Sequence, residues 1–98
     1  AGFLESVYQK ALIQELQFAG LAVQCEVPVV IHYKGEPIAE HRVDLLVENA
    51  VIIELKAQKQ MPISAEPQLI NYLKATGKEL GLLVNFSFPK AVVKRVVL

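Results

Sequence analysis

The chain has 98 residues and a single cysteine, Cys25. A lone thiol excludes a disulfide framework and a cysteine-based zinc cluster, and it suits a reducing cytosol. Cys25 itself is expected to be a small buried apolar residue. No apolar run approaches the roughly 18 residues that a membrane-spanning helix needs. No signal-peptide pattern opens the chain. The expected setting is therefore cytoplasmic, with no membrane partner. Net charge is absent too, because ten basic and ten acidic side chains cancel. Overall charge thus speaks against a strong nucleic-acid binder. The sequence has no Ser/His/Asp arrangement, no phosphate-cradling glycine loop and no H-E-x-x-H. It also lacks internal repeats, low-complexity segments and linkers, and its length suits one domain over residues 1–98.

What is present is apolar. Hydrophobic residues make up 53 % of the chain and charged residues 20 %, enough to build a core and to exclude disorder. The charges are unevenly placed. Residues 1–48 hold three basic and seven acidic side chains, and residues 49–98 hold seven and three. The basic half comprises Lys56, Lys59, Lys74, Lys78, Lys90, Lys94 and Arg95. These side chains could meet a polyanion if the fold gathers them; the alternative is a set of separate solvated faces.

Residues 3–19 have helical periodicity, with Phe3, Leu4, Val7, Tyr8, Ala11, Leu12, Leu16 and Phe18 as the apolar positions and Gly20 as the stop. On a helical wheel Glu5 falls between Leu12 and Leu16, and Glu15 between Leu4 and Tyr8. Both carboxylates thus lie toward the apolar side or at its edge. Residues 24–33 alternate as a strand, and Pro28 marks an edge or a bulge. A turn at 34–37 leads to strands over about 38–47 and 51–57. A second helix follows Ser64, with Ala65, Leu69, Leu73 and Thr76 on its apolar face and Gly77 at its end. Leu80–Phe86 suits a buried strand. Residues 91–98 read as a strand, with a short helix as the alternative. The order is α-β-β-β-α-β-β, an α/β chain.

The hairpin is the informative part. Val43, Leu45 and Val47 form one alternating set, and Val51, Ile53 and Leu55 another. If both face the core, the link must have an odd length. A three-residue link at 48–50 pairs Val47 with Val51, Leu45 with Ile53, and Asp44 with Glu54. Asp44, Glu54 and Lys56 then gather on the other face. Two adjacent carboxylates require a cation, a shared proton or a basic neighbour. Mg²⁺ would accept both, together with the backbone carbonyl of Leu55. Lys56 could orient a water or stabilise a pentavalent phosphorus centre. The competing interpretation is a solvated charge ladder. Strict pairing also sets Arg42 opposite Lys56, which is unfavourable unless the strands splay or the carboxylates compensate. Gln68 and Tyr72 lie four apart on the second helix and could contact a phosphate or brace the lysine. His32 and His41 read as surface or internally satisfied histidines.

Gly2-Phe3-Leu4-Glu5-Ser6-Val7-Tyr8 resembles the signature of the GxxExxY protein family. The stretches Arg42–Val47, Ile53–Ala57, Gln68–Leu73 and Gly81–Phe86 match that family's usual run, so the resemblance covers nearly the whole chain. It places the chain in the PD-(D/E)xK nuclease superfamily. It implies a restriction-endonuclease-like core, with a central mixed sheet flanked by helices, and cleavage of DNA dependent on Mg²⁺ (or Mn²⁺). It marks Asp44 and Glu54 as metal ligands, Lys56 as the catalytic lysine and Glu5 as a helix-borne acid near the metal. Gln68 and Tyr72 match the Q-x-x-x-Y pattern of the exonuclease-like branch. Pro67 before Gln68 and the missing helical segment ahead of Gly2 depart from the pattern, so an N-terminal segment is expected to be lacking. The alternative function is a non-catalytic module that binds nucleic acid or protein. Val92, Val93, Val96 and Val97 also make a homodimer an expectation.

Overall fold

The structure is a computed structural model that describes residues 2–87 and 90–98, without the side chains of Gly2 and Phe3. Ala1 and the Phe3 member of the apolar stripe therefore lie outside the described residues. The elements are α1 (Gly2–Phe18), β1 (Val23–Tyr33), β2 (Glu36–Val47), β3 (Val51–Lys56), α2 (Ala65–Thr76), β4 (Leu80–Ser87) and β5 (Lys90–Val97). This is the expected α-β-β-β-α-β-β order. The last segment is a strand rather than a short helix, because it pairs with β4 from Leu80–Val97 to Ser87–Lys90.

The five strands form one mixed sheet in the order β1-β2-β3-β4-β5. Neighbours are antiparallel except β3 and β4, which are parallel. A parallel pair needs a crossover, and α2 supplies it. Lys34 and Gly35 both have positive φ, 50° and 81°. They form a two-residue hairpin turn, so β2 begins at Glu36 rather than near Ile38. Pro28 sits on the edge strand β1, where a missing donor is tolerated.

Each sheet face is covered by one helix. On one side Leu45, Val47, Ile53, Leu55 and Val84 meet Leu12, Ile13 and Leu16 of α1. On the other, Val29, Leu46, Ile52 and Leu83 meet Leu69, Tyr72 and Leu73 of α2. Gly81 lets α2 sit close: a Cβ there would come within 2.8 Å of the Leu69 side chain. Gly77 ends α2 in the left-handed region at φ 72°, as a helix C-terminus favours. Ser64 precedes α2 but makes no side-chain cap bond.

Three expectations need correction. Val43 does not share a face with Leu45 and Val47; it packs in the α2-side cluster. The cause is a kink across β1 and β2. Glu26 has φ 52°, and the β1–β2 pairing skips from Cys25–Leu45 to Val27–Val43. Val23 accordingly packs toward α1, while Val27 packs toward α2. In α1, Leu4, Val7, Ala11 and Phe18 are exposed rather than buried. The helix carries apolar residues on two sides, and the side that docks is centred on Leu12 and Leu16, with Ile13 in place of Ala11. Cys25 is exposed, because it lies on an edge strand where neither helix covers it. Among the described residues, no helix is long and apolar enough to cross a membrane.

Candidate active site

The antiparallel ladder of the hairpin runs Val47–Val51, Leu46–Ile52 and Leu45–Ile53 and then stops. The odd link and its register are therefore as expected. The next pair would be Asp44–Glu54 and the third Arg42–Lys56, but the ladder ends before either forms. Backbone groups that leave a ladder must find other partners, and here side chains supply them. The amide of Asp44 donates to Glu54 Oε2 at 2.8 Å. The amide of Leu55 donates to Asp44 Oδ2 at 2.7 Å. The two carboxylates are thus brought together across the open end of the hairpin. Within a strand, the N–H and C=O of one residue leave by the same edge. The carbonyl of Leu55 therefore points toward β2 and Asp44 as well.

Glu54 is only 8 % exposed. Burial, and then the charge of Asp44, push its carboxyl up to about 8; the Asp44 amide and the Lys56 ammonium offset part of this. Lys56 is half-buried and alternates with Glu54 and Ile52 on the α2 side. Tyr72 is buried on α2. Its hydroxyl lies 3.3 Å from His41 Nδ1, and the two rings meet edge to face. Burial, followed by the charges of Glu54 and Asp44, raises the Tyr72 phenol, so that group lies within electrostatic reach of both acids.

Gln68 is exposed, whereas Tyr72 is buried. At about 100° per residue, Gln68 lies roughly 40° further than Tyr72 from the Ala65–Leu69–Leu73 stripe. The two side chains therefore do not share an environment. On the α1 side, Glu5, Ser6, Gln9, Glu26, Asp44 and Leu55 line a polar cleft of about 210 Å³. Glu5 is half-buried there, while Glu15 is exposed. Among the described residues, no group of three or more His, Cys, Asp or Glu side chains is poised to hold a metal ion. The groups available there to an ion would be the two carboxylates and the Leu55 carbonyl, hard oxygens of the kind Mg²⁺ and Mn²⁺ accept. Burial, more than the neighbouring Asp44 charge, is what raises the Glu54 carboxyl, and a cation bound beside it would offset both effects.

Two interactions were not foreseen from sequence. Gln9 Nε2 donates to the Asp44 carbonyl at 3.2 Å; its position four residues after Glu5, on the same helical face, was the available signal. Asn85 is buried and bonds the backbone of Gln58 in both directions. It pins the segment that follows Lys56. His41 is an exposed histidine satisfied by Tyr72.

A family model described as the PD-(D/E)XK nuclease superfamily matches residues 1–96. No curated protein matches the sequence. The solved structure of SSO0001 is similar with a TM-score of 0.78 and 21 % identity, over 98 % of this chain and 50 % of that one. An alkaline exonuclease (LHK-Exo) from Laribacter hongkongensis gives a TM-score of 0.69 and 14 % identity, over 94 % of this chain and 55 % of that one. The chain spans about half the length of these two structures. Likeness at such identity speaks for the fold, which is restriction-endonuclease-like. With the family match running over almost its entire length, the chain belongs to the PD-(D/E)XK nuclease superfamily.

Proposed function

We propose that this protein is a metal-dependent nuclease that hydrolyses phosphodiester bonds in DNA. The observation that carries the reading is the exchange of bonds at the open end of the hairpin, which sets Asp44 and Glu54 together beside Lys56. Membership of the superfamily supports it. Asp44, Glu54 and the Leu55 carbonyl would hold Mg²⁺ or Mn²⁺, and Glu5, in the cleft beside Asp44, would support the site. Such an ion makes a coordinated water easier to deprotonate and offsets charge on the phosphate.

The remaining roles belong to the chain itself. Glu54, whose carboxyl burial raises to about 8, would release its proton to solvent on holding a cation, because the ion would favour the carboxylate form. The Lys56 ammonium orients the attacking water and meets the charge that develops on the phosphoryl oxygens. The Tyr72 hydroxyl, held by His41, positions the phosphate. Gln68, on the exposed rim, contacts the strand rather than the ion. The run from Gly2 to Tyr8 supports placement in the GxxExxY branch, and residues 1–98 act as one domain in this reading.

The test is a cleavage assay on DNA with Mg²⁺ or Mn²⁺, comparing the intact protein with Lys56→Ala and Glu54→Ala. Loss of cleavage in both variants is expected, and undiminished activity in both removes this site. A second reading, a non-catalytic module that binds DNA, is favoured by one observation: among the described residues, no group of three or more His, Cys, Asp or Glu side chains is set to hold a metal ion. DNA binding by the intact protein with no turnover in either metal would establish it.

A further inference from the structure

The sheet face that carries Glu54 and Lys56 continues onto the next two strands. Glu54 pairs with Leu83, and Leu83 with Lys94; Lys56 pairs with Asn85, and Asn85 with Val92. These two rows run straight from the candidate site to the β5 edge. Adjacent strands lie about 4.8 Å apart, so the Lys94 row position is roughly 10 Å from Glu54. A groove of about 250 Å³ occupies this stretch, lined by Lys59, Met61, Leu83, Asn85, Ser87, Val92 and Lys94.

Its construction is specific. Met61, Leu83 and Val92 make an apolar floor. Lys59 and Lys94 also line it and bring two cationic side chains to the groove. Lys59 follows Gln58, whose backbone is bonded both ways to the buried Asn85 side chain in the groove. The Lys94 ammonium is paired with Glu66 of α2, and the pair is solvent-accessible, with the Lys94 side chain 58 % exposed, so a phosphate can compete for it. The groove thus combines apolar surface with two cationic side chains. A duplex offers mainly phosphates and groove edges, whereas an unpaired strand also offers the flat faces of its bases.

The geometry points to a subsite for one unpaired nucleotide of a single-stranded nucleic acid, next to the scissile position. The base lies on Met61, Leu83 and Val92, and the flanking phosphates lie against Lys59 and Lys94. This rests on the nuclease reading above and deepens it, by making a single strand the form of substrate that the site receives.

The test is fluorescence anisotropy with a labelled oligo-dT and a labelled duplex of equal length, in chelator so that nothing is cleaved. The intact protein is expected to bind the single strand more tightly than the duplex. Lys59→Gln and Lys94→Gln should each weaken single-strand binding roughly three- to tenfold and lower the salt slope by about 0.7 for each phosphate no longer neutralised. Glu66→Gln breaks the same ion pair but keeps the lysine, so its affinity should hold or rise. If both lysine variants bind as the intact protein does, the subsite is wrong, while the cleavage assay with Lys56→Ala still judges the nuclease reading independently. Preference for duplex, no binding by the intact protein, or a Glu66→Gln loss equal to that of Lys94→Gln would also overturn it.

Discussion

Asp44 and Glu54 hold each other's strand. The Asp44 amide donates to the Glu54 carboxylate, and Leu55, beside Glu54, donates to the Asp44 carboxylate. Each acid stands in for a backbone carbonyl at the place where the ladder ends. The same two groups that stabilise the hairpin mouth are the ones the proposed function offers to a cation, so in that reading stability and metal binding would be coupled.

The first consequence is a pH dependence. Glu54 has a folded value of about 8 against an ordinary 4.5. Between these values the native state holds a proton that the unfolded chain has released, so stability falls as pH rises through this window. At about 1.4 kcal/mol per unit, the loss is on the order of a few kcal/mol. Urea unfolding in chelator at pH 5, 6.5 and 8 should show the decline. Glu54→Gln keeps an acceptor for the Asp44 amide and should flatten it.

Adding a divalent cation should reverse that loss. At a concentration about 100 times Kd, a ligand specific for the native state contributes roughly 2.7 kcal/mol. Thermal melts at pH 7.5 should rise with Mg²⁺ or Mn²⁺ for the intact protein. They should stay still for Glu54→Ala and for Asp44→Ala.

Tyr72→Phe separates packing from chemistry. The ring remains in the α2-side core, and only the hydroxyl shared with His41 is removed. Stability should change by no more than about 1 kcal/mol. Cleavage should fall tenfold or more, equivalent to about 1.4 kcal/mol in the barrier. Equal activity in both proteins would remove the tyrosine from the proposed machinery.

Gly81→Ala tests the packing of α2. Its Cβ would come within 2.8 Å of Leu69, a side chain with no exposure, so something must shift. Overpacking of this kind costs roughly 1–3 kcal/mol. Chemical denaturation should report that loss, and an unchanged midpoint would show that α2 can shift away from the sheet.

Much of this was legible in the sequence because two rules acted together. Alternation of Leu45, Val47, Val51 and Ile53, with an odd link, fixes one register and forces Asp44 toward Glu54. The fate of Val43 was not legible, because it depends on Glu26 adopting positive φ, and glutamate gives no local sign of that. The docking side of α1 was ambiguous for another reason: Leu4, Val7, Ala11 and Phe18 compete with Leu12, Ile13 and Leu16, and only the sheet decides between them. Gln68 and Tyr72 share a spacing but not a depth, since a single helical turn already rotates the pair past the rim of the stripe.

The kink at Glu26 has a mechanical result. It makes Asp44 a hinge pin between two otherwise separate compartments, one under α1 and one under α2. Gln9 of α1 grips its carbonyl, while its carboxylate takes the Leu55 amide at the hairpin mouth. A change on α1 such as Gln9→Ala would therefore loosen the hairpin mouth from the helix side, transmitted through one residue's backbone.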